Sequence, residues 1–316
     1  MAKVSVIIPT YNRRETVVRA IDSVTAQTES DVEVIVVDDG STDSTGDIIR
    51  GMSDERIRYV FRPNGGPAAA RNLGLAKAGG QYIAFLDSDD FWPSHYLETM
   101  LLRLDPQPAF GGAYSAITLV RPDGQQVKSY HRPAGKSGRI TQDLFMRGFI
   151  WPSATLFRAS VWTGFFFDER LSRTSEDSDA FLRLSMRTQL LFVPDIEAFH
   201  VLSKDSVSAA EGVACSRAIS LERFYFDLGG RRVVRPCTAR RRLSHVYRAV
   251  AEDRRARGAK AAALALYGRA IRYWPCDLRL YLGWFQAKAL RSRDDPEPSW
   301  KMPDRLGEPI GPSRFE

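Results

Sequence analysis

The first ninety positions of the chain repeat one pattern. A short apolar run is followed by polar turn residues and then by a stretch of helical period. Val4–Ile8, Val32–Val37, Ile57–Phe61 and Tyr82–Leu86 read as strands. Their nearly unbroken apolar character belongs to strands buried on both faces, as in a parallel sheet. Helices are expected over about Arg13 to Gln27 and from Ser41, where Ser41 or Thr42 can cap and Asp43 favours the positive helix end. A third is expected over Ala68 to Ala78, with Pro67 in its first turn and Gly79-Gly80 as its C-terminal stop. This βαβαβαβ order predicts an α/β fold with a mostly parallel central sheet and right-handed crossovers.

Beyond residue 110 the pattern is mixed. Ala113–Val120 and Gln125–His131 form an expected hairpin around Pro122-Asp123-Gly124. Helices are expected over Ile140–Arg147 and Glu176–Arg187, with Phe181, Leu184 and Ser185 on one face of the second. Strands are expected at Ala154–Phe157, Leu190–Val193 and Ile196–Leu202. After about Ala209 the chain reads as all helical, and Trp274-Pro275 separates helices over Ala259–Tyr273 and Asp277–Ser292. The last two dozen residues are proline-rich, apolar-poor and expected to be poorly ordered. The expected domains are 1–210, divided into a nucleotide-binding half (1–105) and an acceptor half (106–210), and a basic helical extension over 211–316.

A chain of 316 residues with 44% hydrophobic content can bury a large core. It has no run of eighteen apolar residues and no signal-peptide pattern, so a cytoplasmic chain without a membrane span is expected. Cys215, Cys237 and Cys276 lie far apart and form no CxxC pair, which points to reduced thiols rather than a zinc site or disulfides. The charge changes the picture more. Of the net +7, residues 231–272 concentrate thirteen Lys or Arg against Glu252 and Asp253. Such a segment is either a solvated helical face or a surface for an anionic partner.

The candidate chemistry sits where the strands end. Ligands of parallel α/β sheets bind beyond the carboxyl ends of the strands. There the chain places Pro9-Thr10-Tyr11-Asn12, Asp38-Asp39-Gly40-Ser41 and Asp87-Ser88-Asp89-Asp90. No GxGxxG and no GxxxxGK[ST] occurs, so dinucleotide sites and P-loops are disfavoured. Thr10 and Tyr11 can meet a base or ribose, and Tyr11 can equally be a packed loop aromatic. Of Asp38 and Asp39, one can accept from the edge of a base while the other only caps a helix. Asp87-Ser88-Asp89 offers the hard oxygen donors that Mn²⁺ or Mg²⁺ share with phosphate. Arg71 is either a base or phosphate ligand or a surface arginine, and Glu176-Asp177 opens a helix with acids, one of which can serve as a general base. His200 is a metal ligand or a satisfied core histidine.

Taken together, VSVIIPTYNR (Val4 to Arg13), VDDGSTD (Val37 to Asp43), GGPAAARNLGL (Gly65 to Leu75), YIAFLDSDD (Tyr82 to Asp90) and GFFFDERLSRTSEDSDAFLRL (Gly164 to Leu184) resemble the family 2 glycosyltransferases. The resemblance covers about Met1 to Ser208. It implies the GT-A fold and an inverting, metal-dependent transfer from a nucleotide sugar, usually UDP-linked, to a saccharide, lipid-linked or protein-linked hydroxyl. Polysaccharide, glycolipid or glycoprotein assembly is the implied setting. It implies that Thr10, Tyr11, Asp39 and Arg71 hold the nucleotide. Asp87 reaches the ribose or the metal shell, Asp89 binds Mn²⁺ or Mg²⁺, and Asp177 is the base. Glu176 and Trp151, the latter in Ile150-Trp151-Pro152-Ser153, fall on the acceptor side, where Trp151 stacks on a sugar or simply packs. Two departures stand out. The family's Arg-x-His before Ser206-Val207-Ser208 appears as Val201 and Ser203, with His200 out of register, and Gly-Gly-Phe-Asp-Glu becomes Gly164-Phe165-Phe166-Phe167-Asp168-Glu169.

Two rival readings differ in class. One is a non-catalytic nucleotide-sugar-binding or regulatory protein of the same fold, opposed by intact Asp39, Asp89 and Asp177. The other is a nucleic-acid-binding module built on the basic tail. It is disfavoured because Tyr273, Trp274, Tyr281, Trp284 and Phe285 sit at helical spacing, which reads as core packing. The remaining expectation for the tail is peripheral contact with an anionic membrane, at its inner face.

Overall fold

The computed structural model describes residues 2–130, 135–171, 175–202 and 213–290. Contacts divide the chain into two compact units, Met1–Ile140 with Phe149–Ala209 and Thr141–Gly148 with Ala210–Glu316. The expected helix near residue 140 thus belongs with the helical unit, although it lies inside the expected acceptor half.

The first unit begins β1 (Val4–Thr10), α1 (Val17–Thr25), β2 (Val32–Asp38), α2 (Thr45–Arg50), β3 (Ile57–Phe61), α3 (Pro67–Lys77), β4 (Tyr82–Phe85) and α4 (Tyr96–Leu104). It continues with β5 (Phe110–Val120) and β6 (Gln126–Tyr130). The helix α5 (Thr141–Arg147) of the other unit intervenes before β7 (Thr155–Arg158), α6 (Glu176–Arg187) and β8 (Gln189–Val201). The sheet runs β3-β2-β1-β4-β7-β5-β6, and β8 pairs with β5. The first four strands are parallel, β7 is antiparallel to β4 and β5, and β8 returns parallel to β5. The sheet is therefore α/β and mixed, with its parallel part where the sequence pattern repeats.

Both faces of the parallel part are covered, as the apolar runs require. Val4, Val6 and Ile8 face a core with Val17, Ile21 and Val24 of α1, while Ile35 and Val37 meet Ala70 of α3 on the other side. Helix α3 approaches β1 closely at Gly74. A Cβ there would lie 2.4 Å from Ile7 Cγ2, and Ile7 is fully buried and β-branched. Gly74→Ala is therefore expected to overpack the core and destabilise the protein by about 1–3 kcal/mol, read as a lower thermal midpoint with the sheet content retained.

Several local expectations are revised. Helix α2 starts after Ser44, not at Ser41. The Ser41 hydroxyl instead accepts from Asn12 N, and the Asn12 side chain accepts from Thr42 N, so these residues tie two strand-end loops together. Gly79 and Gly80 do not form a left-handed helix stop. Ala78 turns extended, and the two glycine N–H groups donate to Glu33 and to Ser5. The two late strands are one strand, β8, with a register shift against β5 between Ser115 and Ala116. Helix α4 is not among the expected elements, although Tyr96, Leu97, Met100, Leu101 and Leu104 are all buried at helical spacing. The hairpin forms as expected up to Tyr130, with Gly124 at φ 84°, while His131 lies outside the described residues.

The second unit also holds α7 (Val213–Phe226), α8 (Pro236–Ala256), α9 (Lys260–Tyr273) and α10 (Leu278–Lys288). Its buried polar centre is Glu222, which accepts from Tyr247, Tyr273 and Arg269. The expectation that the tail's aromatics all pack inward holds for Tyr273, which is buried, and fails for Phe285, which is 62% exposed. Spacing places a residue on a helix face, but which face is covered depends on the neighbouring helix. The proline-rich final segment, expected to be poorly ordered, lies outside the described residues, and so do Ser203 and Ser206-Val207-Ser208. No described helix is long and apolar enough to cross a membrane.

Candidate active site

Strands β2, β1 and β4 are neighbours, so their carboxyl ends bring Asp38-Asp39, Thr10 and the acidic turn 87–90 side by side. Thr10 is buried, and its hydroxyl has no partner among the described residues. Tyr11, 44% exposed, stands at the rim rather than packing inward. Asn12 holds the turn in the left-handed region at φ 51°.

The two adjacent aspartates divide their work. Asp38 accepts from Ser41 N at 2.8 Å and from the Tyr59 hydroxyl at 2.7 Å, which makes it a structural residue. Burial and the neighbouring Asp38 push the Tyr59 hydroxyl up to about 12. Asp39 is buried and accepts from Gly65 N, Gly66 N and Arg62. These bonds fix the glycine loop that opens α3, in which Gly66 takes φ 90°. Three donors leave Asp39 with acceptor capacity on Oδ2.

Arg71 is not a surface arginine. It is buried on α3, with its guanidinium 5.6 Å above the Phe167 ring. One arm donates to Asp87 at 2.7 Å and the other to Glu176 at 2.9 Å. Burial opposes its charge, but Asp87, Glu176 and Asp177 outweigh that and hold it cationic. Arg71 thus clamps the acidic turn after β4 to the start of α6. Next to it on α3, the Asn72 side chain donates to Phe167 O and accepts from Phe167 N, which fixes the aromatic floor. Asp177 follows Glu176 at the first turn of α6 and is half-buried. Loss of solvation, then the charge of Glu176, pushes its carboxyl up to about 6 against the pull of Arg71.

In the acidic turn, Asp89 lies 3.6 Å from Arg13. Burial, then Asp90 and Asp87, push Asp89 up to about 6. Asp90 is the buried member of the turn. It accepts from Ser153 at 2.5 Å, and its Oδ1 lies 2.9 Å from His200 Nδ1, off the axis of the ring N–H. Burial opposes a charged His200, yet Asp90 with Asp87 and Asp89 behind it pushes the imidazole up to about 9. Trp151 packs on His200, ring centres 4.9 Å apart, and against the core. Ser153 also accepts from Asp87 N, and its carbonyl accepts from Trp92, so the 151–153 segment is fastened to the acidic turn.

The structure therefore brings together Arg71, Asp87, Glu176 and Asp177, and separately Asp89, Asp90, His200 and Trp151, along one strand-end region. Sequence reasoning gave no role to Asp90, Ser153, Arg13 or Arg62. Asp90, Arg13 and Ser153 lie inside the quoted segments, whereas Arg62 carries no local signal. Among the described residues no three His, Cys, Asp or Glu side chains converge as a ready cation cage. The donor set still fits Mn²⁺ or Mg²⁺ shared with phosphate oxygens. Asp89 is a hard carboxylate only partly offset by Arg13, and burial with the charges of Asp90 and Asp87 raises it, a penalty that a cation at this turn would relieve.

A parallel sheet whose strand ends carry these acids, with a mixed half and a helical unit following, defines a GT-A type of fold. It is similar to S. aureus TarS 1–349 in complex with UDP-GlcNAc, with a TM-score of 0.63 at 20% identity over 91% of this chain and 87% of that one. The family model described as Glycosyl transferase family 2 matches residues 5–165, and the chain belongs to that family. An uncharacterised glycosyltransferase of Rickettsia bellii is 35% identical over 190 residues, which is 60% of this chain and 27% of that protein. Glycosyltransferase GlyA of Streptococcus pneumoniae is 40% identical over 118 residues, which is 36% of this chain and 17% of that protein. The chain thus matches about a quarter or less of these relatives' length.

Proposed function

We propose that this chain transfers a sugar from a UDP-linked donor to a hydroxyl of a saccharide, lipid-linked or protein-linked acceptor, in one displacement with inversion. The observation that carries the reading is the Arg71 clamp. It holds the strand-end acid Asp87 and the helix-start acids Glu176 and Asp177 in one cluster, and leaves Asp177 half-buried with a carboxyl poised near 6. TarS, solved with UDP-GlcNAc, supports the donor class.

In this reading Thr10, Tyr11, Asp39 and Arg71 form the nucleotide side. The orphaned Thr10 hydroxyl and the exposed Tyr11 ring are the groups available to a ribose and a base. Asp87 and Asp89, with His200 behind them, form the side that would hold a divalent cation. His200 Nδ1 lies 2.9 Å from Asp90 Oδ1, and its positive charge backs the acidic turn. Asp177 takes the proton of the acceptor hydroxyl. The acceptor oxygen then bonds to the anomeric carbon as its bond to the diphosphate oxygen breaks, and the electron pair leaves with the diphosphate. Mn²⁺ or Mg²⁺, which Asp87 and Asp89 would hold, would supply Lewis-acid stabilisation of the charge on that leaving group. Glu176 and Trp151 support the acceptor side, Glu176 by its bond to Arg71 and Trp151 by packing.

A panel of nucleotide sugars with Mn²⁺, followed by nucleoside diphosphate release, tests the reading. Asp89→Ala is expected to abolish the metal-dependent release and keep the thermal midpoint, because Asp89 is partly exposed and carries no buried hydrogen bond from its side chain. Turnover that persists unchanged in EDTA would refute the metal assignment.

A further inference from the structure

Helix α10 packs one face inward and leaves the opposite face bare. Leu280, Gly283 and Ala287 are buried, and Gly283 lies so close to Tyr267 that a Cβ would come within 2.5 Å of its ring. On the other side Leu278 is 80% exposed, Leu282 60% and Phe285 62%. These positions follow i, i+4 and i+7, so they form one continuous apolar ridge. Tyr281 and Trp284, both half-buried, flank the ridge on one side with Lys288, and on the other lies Arg279, whose guanidinium is paired through two hydrogen bonds with Asp277. Arg272, at the end of α9, is exposed as well.

We infer that this ridge docks the protein on the surface of an anionic lipid bilayer. Three features select that occupant. The ridge carries Leu and Phe between aromatic and cationic flanks, the composition of helices that lie in the interface plane. Tyr and Trp suit the headgroup level, and Lys and Arg stems can lie along apolar surface while their charges reach phosphates. The third feature is charge. Residues 213–290 carry seventeen Lys and Arg against five Asp and Glu, while the whole chain is +7, so the rest of the chain is net negative. A second copy meeting this face with its own ridge would bring two strongly cationic units together, whereas an anionic bilayer complements the charge. The contact needs no membrane span, and none of the described helices provides one.

Co-sedimentation of the full chain with vesicles of phosphatidylglycerol and phosphatidylcholine tests this. Binding is expected at low salt, to weaken as salt rises, and to be absent with pure phosphatidylcholine. Leu282→Ser with Phe285→Ser removes the ridge from an already exposed face. It is expected to lower partitioning at least about tenfold while the thermal midpoint stays. Arg272→Ser with Lys288→Ser is expected to weaken binding several-fold and to flatten its salt dependence. Three results overturn the inference. One is no binding to the anionic vesicles at low salt. Another is binding that the Leu282/Phe285 pair leaves unchanged, which would place the contact elsewhere. The third is a dimer in solution that the same pair dissolves, which would make a second copy the occupant.

Discussion

Asp177→Asn is expected to transfer sugar about 10²- to 10⁴-fold more slowly than the parent, the usual contribution of a positioned general base. The substitution keeps the shape and the bond from Ser178 N, but it removes the basic oxygen. Donor affinity, measured by titration with the nucleotide sugar, is expected to stay within a factor of a few. The direction of the pH dependence follows from the same residue. A base works deprotonated, and this carboxyl is raised to about 6. Transfer in the parent should therefore rise with pH through about 6 and level off above it. In Asp177→Asn that rise should vanish. If Asp177→Asn transfers normally and Glu176→Gln does not, the roles of the two acids are exchanged.

The second large effect is on the fold. Arg71→Ala strips the partner from Glu176, whose side chain is only 9% exposed, and from Asp87, which is 32% exposed. Breaking a buried pair on one side typically costs about 3–5 kcal/mol. The value here should lie near the lower end, because water can reach Asp87. Denaturant unfolding of Arg71→Ala beside Arg71→Ala/Glu176→Gln separates the contributions. The double variant should recover part of the loss, since it leaves no unpaired buried carboxylate at Glu176. If the two variants unfold alike, the clamp is not where the stability resides. Arg71 also lowers the Asp177 carboxyl, so any activity left in Arg71→Ala should rise at higher pH than in the parent.

The parallel half of the fold was legible because its evidence is local. Val4–Ile8 and Val32–Val37 are buried on both faces and so are almost wholly apolar, interrupted only by Ser5 and Glu33, and α6 begins at the Glu176 and ends at the Arg187 that its period indicates. The site was legible as a set of motifs but not as a network. Arg71 and Glu176 are 105 positions apart, and nothing near either residue says that one will bond the other. Asp89 and Asp90 are chemically alike and adjacent, and only the turn decides that Asp90 points inward to Ser153 and His200. Asp38 and Asp39 divide in the same way. On α10 the helical period of Phe285 was correct and its burial was not, because burial depends on where α9 lies and not on the period.

Ser153 has a consequence that reaches beyond packing. Its hydroxyl accepts from Asp87 N and donates to Asp90, and its carbonyl holds Trp92. The backbone of the acidic turn is therefore ordered during folding and not when a ligand arrives. Conformational entropy that a loop would otherwise lose on binding has already been lost. A donor meeting this turn should encounter a preformed wall, with on-rates limited by diffusion and desolvation and with little rearrangement of residues 87–90 between free and bound states.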